Sequence, residues 1–279
     1  MLKIGIFGAN SFLIENIKRK FSKKNRIYLI GRKNADILTN YRKKNIENII
    51  LKRKFDIIIN ATGYTSVEKC EKNKVTAYYI NVKITEYICK AIRKLKNKNY
   101  LIHFSTDHLY NSKYSSNEMN VNIINNYALT KYQSEEYAAS VNSIILRTNF
   151  FGTSTHTSKR SLSDWIISSL ENNKKIYLYK DIYFSPLHFS TITNIINLII
   201  RKRKNGTFNL GSKKGFSKLK FGREIAIIKN LNSNLIVPIN YNKKNNIKRP
   251  NNMRMNSSKF EREFNYTLPT LKDEIAKIK

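Results

Sequence analysis

Two short stretches carry groups able to do acid–base chemistry together. One is Ser105-Thr106-Asp107 at the end of an apolar run; the other is Tyr127-Ala128-Leu129-Thr130-Lys131, opening a helical one. Tyrosine and lysine four residues apart on a helix project from one face, so the ammonium stands near the phenol. A free phenol has a pKa of about 10, and a neighbouring cation favours its ionised form. Poised this way, Tyr127 would hand a proton to a carbonyl oxygen as hydride reaches its carbon, and Lys131 would also hold a cofactor ribose. A hydroxyl from Thr106 or Ser105 would hydrogen-bond the same oxygen.

The spacing alone does not select this pair. With 17 tyrosines in a lysine-rich chain, about two Tyr-x-x-x-Lys matches are expected by chance. There are two, the other being Tyr79 with Lys83. Context separates them: Tyr127 follows an apolar strand ending in Ser/Thr after a loop of suitable length, and Tyr79 follows no such strand.

The elements that must position these groups read as alternating strands and helices. Residues 2 to 7 form an apolar strand, followed by Gly8-Ala9-Asn10-Ser11-Phe12-Leu13 and a helix from Ile14 to Phe21. Strand, glycine turn and helix is how a dinucleotide-binding fold begins, with pyrophosphate resting on the helix N-terminal amides. The usual glycines would fall at 8, 11 and 14, and this chain has Gly8, Ser11 and Ile14. Ser11 still lets the backbone approach a phosphate; Ile14 requires the packing between helix and strand to adjust.

A second strand, Ile27 to Ile30, ends at Gly31-Arg32-Lys33. An acidic residue there would grip a ribose 2′-hydroxyl, whereas Arg32 suits a 2′-phosphate, which points to NADPH with NADH as the lesser choice. Ile37-Leu38-Thr39 precedes a basic helix, and the β-branched strand Phe55 to Asn60 runs into Ala61-Thr62-Gly63-Tyr64-Thr65. A helix from Ala77 to Leu95 and a strand from Tyr100 to Phe104 follow, then the Tyr127 helix and a strand from Ser143 to Arg147. The alternation predicts a doubly wound parallel sheet, with the cofactor across the carboxyl ends of its strands. Beyond Thr153 the pattern is less regular: helices near 162–170, 191–203 and 222–230, strands at 175–179 and 206–211. Trp165 and Phe184 are expected in the core.

With 279 residues and 41% hydrophobic content the chain can bury a real core. The formal charge of +33 suggests nucleic acid or an anionic membrane. Lys, Asn, Ile, Tyr and Phe are abundant throughout, however, and the charge is spread rather than clustered, apart from short runs such as Arg201 to Lys204. Neither a specific nucleic acid nor a membrane is therefore expected as partner. Cys70 and Cys89 give no disulfide framework and read as buried thiols; the histidines at 103, 108, 156 and 188 lack ligand spacing, so no metal is expected. No targeting segment is visible and the apolar run from Ile192 to Ile200 is too short to span a bilayer, giving a cytoplasmic expectation.

With these stretches in view the chain resembles the dTDP-4-dehydrorhamnose reductase family of extended short-chain dehydrogenases, over nearly its whole length. The telling pieces are Asn60-Ala61-Thr62-Gly63-Tyr64-Thr65-Ser66-Val67-Glu68-Lys69-Cys70-Glu71, Ser105-Thr106-Asp107, and Tyr127 with Lys131. Leu146 to Phe150, Ser185-Pro186, Gly206 to Leu210 and Arg249-Pro250 match weaker landmarks in the family's order. The resemblance implies a Rossmann-type NADP-binding domain over 1–150. It implies a smaller C-terminal α/β substrate domain over 151–279, some segments of which return to pack on the first.

It also implies reduction of a 4-keto-6-deoxy sugar on a nucleoside diphosphate, in deoxysugar and surface polysaccharide synthesis, and is compatible with a homodimer. Tyr127 would be the proton donor, Lys131 its activator and ribose anchor, and Thr106 the hydroxyl partner, with Asp107 beside it toward the sugar. Ser11, Phe12 and Leu13 fall where the family's loop meets pyrophosphate; Asp36 and Ile37 lie near the adenine, and Gly63, Tyr64 and Thr65 near the ribose. Phe150 stands where many members carry a substrate-contacting tryptophan. The family's metal-binding acidic residues have no match here. A related nucleotide-sugar epimerase or reductase would use the same three groups, and a regulatory relative without turnover would explain Ser11 and Ile14.

Overall fold

The computed structural model describes residues 1–9, 12–95, 99–152, 161–241 and 247–278. In chain order the elements begin with β1 (Lys3–Phe7), α1 (Phe12–Phe21), β2 (Arg26–Gly31), β3 (Ile37–Leu38), α2 (Lys43–Arg53) and β4 (Ile57–Asn60). They continue with α3 (Val67–Lys72), α4 (Lys74–Tyr78), α5 (Ile84–Lys94), β5 (Tyr100–Thr106), α6 (Asn126–Ala139) and β6 (Ser143–Thr148). Next come β7 (Phe150–Phe151), α7 (Leu162–Glu171), β8 (Ile176–Tyr179), β9 (Tyr183–Phe184), β10 (Leu187–His188), α8 (Phe189–Lys202) and β11 (Gly206–Leu210). The last are β12 (Phe216–Ser217), α9 (Lys218–Ile228), β13 (Ile236–Ile239), α10 (Ser258–Phe264) and α11 (Leu271–Ile275).

The apolar runs sit where a parallel sheet needs them. Every residue of β4 and β5 is buried, as expected of strands covered by helices on both faces. Seven strands form one sheet in the order β11-β6-β5-β4-β1-β2-β3. The chain winds outward from β1 through β2 to β3, then returns to β4 on the other side of β1 and winds the opposite way. That is the doubly wound Rossmann-type arrangement, with its switch point between β1 and β4. Gly8 follows β1 with φ +100°, and a Cβ there would stand 2.6 Å from the Ala61 carbonyl oxygen, so only glycine fits. Ile14 is fully buried: α1 accommodates it in the core.

The chain divides into two compact units. The first comprises Met1–Thr106, Asn125–Arg147 and Ile195–Phe208; the second Asp107–Ile124, Thr148–Asn194 and Asn209–Lys279. The first unit's core is the sheet with the helices flanking it, including Phe7, Ile46, Phe55, Ile88 and Leu101. The second unit has its own core around Phe151, Ile166, Phe184, Phe221, Ile225 and Leu271. Its α9 carries Gly222, where a Cβ would lie 2.2 Å from Leu178 Cδ1, so the helix rests directly on β8.

Three local expectations are corrected. The helix read from Ala77 begins at Lys74, where the Asn73 side chain accepts from the Thr76 N–H, and passes through a π turn at Tyr79–Lys83 before α5. A separate α3 precedes it, capped by Ser66. Trp165 is 38% exposed on α7 rather than in the core; its neighbour Ile166 takes the inward position, as adjacent helical residues face different ways. Phe184 is in the core as expected, and both cysteines are buried and free. Burial pushes Cys70 up to about 11 and Cys89 to about 12, so neither is a ready nucleophile. No helix among the described residues is long and apolar enough to cross a membrane.

Candidate active site

In the first unit, β5 delivers Ser105 and Thr106 at its carboxyl end and α6 delivers Tyr127 and Lys131 from its first two turns. The helix starts there because the Asn125 side chain accepts the Ala128 N–H at 2.8 Å, and because Asn126 donates from its backbone to Glu71 and from its side chain to the Cys70 carbonyl. Tyr127 is 8% exposed and Lys131 4% exposed. The Lys131 ammonium donates to the Phe104 carbonyl at 2.6 Å. Burial pulls it down to about 8, the Glu135 carboxylate opposing.

Ser105 and Thr106 divide their roles. Ser105 donates its hydroxyl to Glu135, which also receives Arg147 as a fork, Nε to Oε1 at 3.0 Å and Nη2 to Oε2 at 2.6 Å. Both charges are buried, and the bidentate geometry holds β5, α6 and β6 together. With Ser105 committed to α6, Thr106 is the hydroxyl at the strand's very end.

A buried polar relay supports this end of the sheet. Asn60 Oδ1 accepts the Thr62 N–H, which fixes its amide orientation, and its Nδ2 donates to Thr85 and to His103 Nδ1. Ser134 donates its hydroxyl to the Lys131 carbonyl, so His103 Nε2 must donate to Ser134 at 3.0 Å. His103 is thus a neutral Nε2–H tautomer, and burial, with Lys131 adding, holds it well below its ordinary range.

Asn81, which the sequence reading missed, lies in the π turn. It accepts the Tyr64 N–H at 2.7 Å and donates to Thr130 at 2.9 Å, tying the loop of Gly63, Tyr64 and Thr65 to α6. Gly63 and Thr65 are exposed and Tyr64 half-buried. π turns concentrate at functional sites, but nothing in the residue types of Tyr79–Lys83 announces one. The competing pair is committed elsewhere: Tyr79 donates to the Tyr41 carbonyl and Lys83 binds Glu86.

Around the first turn, the Gly8 and Ala9 N–H groups both reach the Ile30 carbonyl. Asn10 and Ser11 lie outside the described residues, and Phe12 opens α1. Leu13 is fully buried, so only its backbone can face a ligand. Arg32 is exposed at the end of β2 with its guanidinium 5.8 Å from the Tyr41 ring centroid. Asp36 accepts the Leu29 N–H at 2.8 Å and pairs with Lys18 at 3.6 Å, while Ile37 is half-buried at the start of β3.

In the second unit, Asp107 is 1% exposed and accepts Asn149 Nδ2 at 2.8 Å. Phe150 is half-buried, its ring 5.7 Å from that of Phe189. The half-buried Lys218 holds its ammonium 3.3 Å above the Phe184 ring centroid. Desolvation there lowers it to about 7, Asp107 opposing and Arg249 adding. One lysine among so many carried no signal in the sequence.

A dTDP-4-dehydrorhamnose reductase from Aggregatibacter actinomycetemcomitans is 31% identical over 113 residues, 39% of this chain and 38% of that protein. The match thus spans well under half of that relative's length. A probable low-salt glycan biosynthesis reductase from Haloferax volcanii is 24% identical over 230 residues, 79% of this chain and 76% of that protein. Among solved structures, the dTDP-4-dehydrorhamnose reductase of Bacillus anthracis in complex with NADP shares the fold with a TM-score of 0.89. It is 21% identical, over 99% of this chain and 97% of that one. Residues 2–278 match the model of the family described as the RmlD substrate binding domain, and the chain belongs to that family.

Proposed function

We propose that the chain is an NADPH-dependent reductase of a 4-keto-6-deoxy sugar carried on a nucleoside diphosphate, as in dTDP-rhamnose synthesis for surface polysaccharide. The observation that carries this reading is the buried Lys131 ammonium. It is anchored to the Phe104 carbonyl two residues before Thr106 and stands one helical turn behind Tyr127. The name of the A. actinomycetemcomitans relative, a dTDP-4-dehydrorhamnose reductase, supports the substrate class, that of the H. volcanii relative supports a reductase of glycan biosynthesis, and the NADP complex of the B. anthracis protein supports the cofactor.

The residues present fit a dinucleotide. The switch point between β1 and β4, the tight Gly8 turn and the N-terminus of α1 form the type of crevice in which pyrophosphate binds. Gly8, Asn10, Ser11, Phe12 and Leu13 would meet the pyrophosphate, Arg32 the 2′-phosphate, Asp36 and Ile37 the adenine, and Gly63, Tyr64 and Thr65 the ribose. When bound, the nicotinamide supplies a hydride to the keto carbon. Thr106 and Tyr127 hydrogen-bond the keto oxygen and Tyr127 gives it a proton, while Lys131 favours the resulting phenolate and binds the ribose. Asp107 and Phe150, which belong to the second unit, are the residues that the family resemblance assigns to the sugar.

The test is a fluorescence titration with NADPH and with NADH, followed by turnover of dTDP-4-dehydro-6-deoxy-sugars by the chain and by Tyr127→Phe. Saturable NADPH binding with turnover lost only in the variant supports the reading. Failure to bind either nucleotide would overturn it in favour of a binding role.

A further inference from the structure

The sequence disperses its cations, but the parallel sheet collects a set of them. In a doubly wound unit the helices run back against the strands, so each helix C-terminus and the start of the strand after it fall along one edge of the sheet. Backbone contacts trace that edge. Lys3 is paired with Arg26, the Asp56 N–H reaches the Lys3 carbonyl, the Tyr100 N–H reaches the Asp56 carbonyl, and the Tyr100 hydroxyl reaches the Lys204 carbonyl.

Positions 18–20 of α1, 52–54 at the end of α2, 93–94 of α5 and 201–204 at the end of α8 are all Lys or Arg, and all are exposed. The helix macrodipole favours a cation or two in a last turn. It does not explain Lys23, Lys24 and Arg26, which continue the patch past α1 and are also exposed. Among the described residues Asp36 pairs with Lys18 and Glu47 with Lys94, and Asp56 is half-buried against the Lys3 N–H.

The side chains of the patch select the partner. It runs along the helix ends and strand starts of the first unit. Phe21, Phe55 and Tyr100 are buried, and the half-buried Tyr28 ring is covered by the Arg53 guanidinium at 5.3 Å. Single-stranded nucleic acid is held by stacking on exposed rings, and among the described residues of this edge no ring is exposed. Point charges on flexible stems suit a planar array of phosphate headgroups. We propose that this edge docks the protein peripherally on an anionic lipid surface. The seven residues of β5 separate Tyr100 on the edge from Thr106, about 20 Å at the rise of a parallel strand. The candidate active site would therefore face away from the lipid.

The proposal stands apart from the enzymatic reading and is tested by co-sedimentation of the full chain with vesicles. Neutral phosphatidylcholine vesicles should leave the protein in solution. Vesicles containing phosphatidylserine should bind it, and 0.5 M salt should release it, as expected for screening at about a 4 Å Debye length. The variant Lys23→Glu/Lys24→Glu/Lys52→Glu/Lys204→Glu should bind at least about tenfold more weakly. The same charge change at Lys174, Lys175, Lys180 and Lys214 of the second unit should cost much less. Should the reversal unfold the chain, the four Lys→Gln changes carry the same comparison. Equal losses in both variants, no preference for phosphatidylserine, or tighter binding to duplex RNA than to vesicles at equal salt would each overturn it.

Discussion

The Lys131 ammonium is held by the Phe104 carbonyl at 2.6 Å rather than by a carboxylate. The nearest acid on its helix, Glu135, is shared between Arg147 and Ser105. No ion pair to Lys131 is found among the described residues, and in the proposed function that leaves its charge available to favour the Tyr127 phenolate.

Replacing Tyr127 with Phe keeps the ring in its nearly buried position and removes only the hydroxyl. Loss of general acid catalysis of this kind lowers kcat by about 10²- to 10⁴-fold. NADPH affinity should change little, and steady-state kinetics with a parallel titration separate the two.

Lys131 also leaves a mark on stability. Burial holds it at about 8, below its ordinary value of 10.5. From pH 8 to 10.5 the folded chain releases a proton that the unfolded chain retains, so stability from this group rises with pH. The rise amounts to as much as about 3 kcal/mol. Urea unfolding of wild type and Lys131→Met at pH 7.5 and 10 should show the gap between them shifting toward wild type at the higher pH. A gap independent of pH contradicts the assignment.

Arg147→Met would strand the Glu135 carboxylate in the interior, at a cost of about 3–5 kcal/mol. Adding Glu135→Leu should recover part of that loss, because the double variant leaves no buried charge. A double-mutant cycle in urea measures the recovery, and strict additivity would show that the two groups do not interact.

Two histidines contribute to the loss of stability in acid. His103 is held well below its ordinary value of 6.5 and His188 is lowered to about 4, in both cases chiefly by burial. The unfolded chain takes up these protons as pH drops through 6.5 and the folded chain does not, so stability falls between pH 6.5 and 4. His103→Gln, at a higher or lower baseline, should flatten that decline in thermal melts across the range.

Arg32 governs the cofactor preference in the proposed function. Arg32→Asp should raise the Kd for NADPH by about 10- to 100-fold, since it removes a charge-assisted contact to the 2′-phosphate. NADH binding should change far less. Equal effects on both nucleotides would place Arg32 away from the phosphate.

The sequence by itself determined the doubly wound sheet. β1, β4 and β5 are short apolar runs with glycine or small polar residues at their ends, a local pattern that survives any long-range detail. It also singled out Tyr127 and Lys131, because helical spacing and the strand before them are local facts. What it could not settle depended on partners distant in the chain. Ser105 and Thr106 looked interchangeable until Glu135, 30 residues away, took the Ser105 hydroxyl. Asn81 became part of the site only through Tyr64 and Thr130, 17 and 49 residues away. Lys218 gained its altered ammonium from the Phe184 ring and the neighbouring charges. The basic edge exists only because parallel strands and returning helices bring residues 3, 26, 54, 94 and 204 to one end of the sheet. Composition fixes how many charges there are, and winding alone decides where they meet.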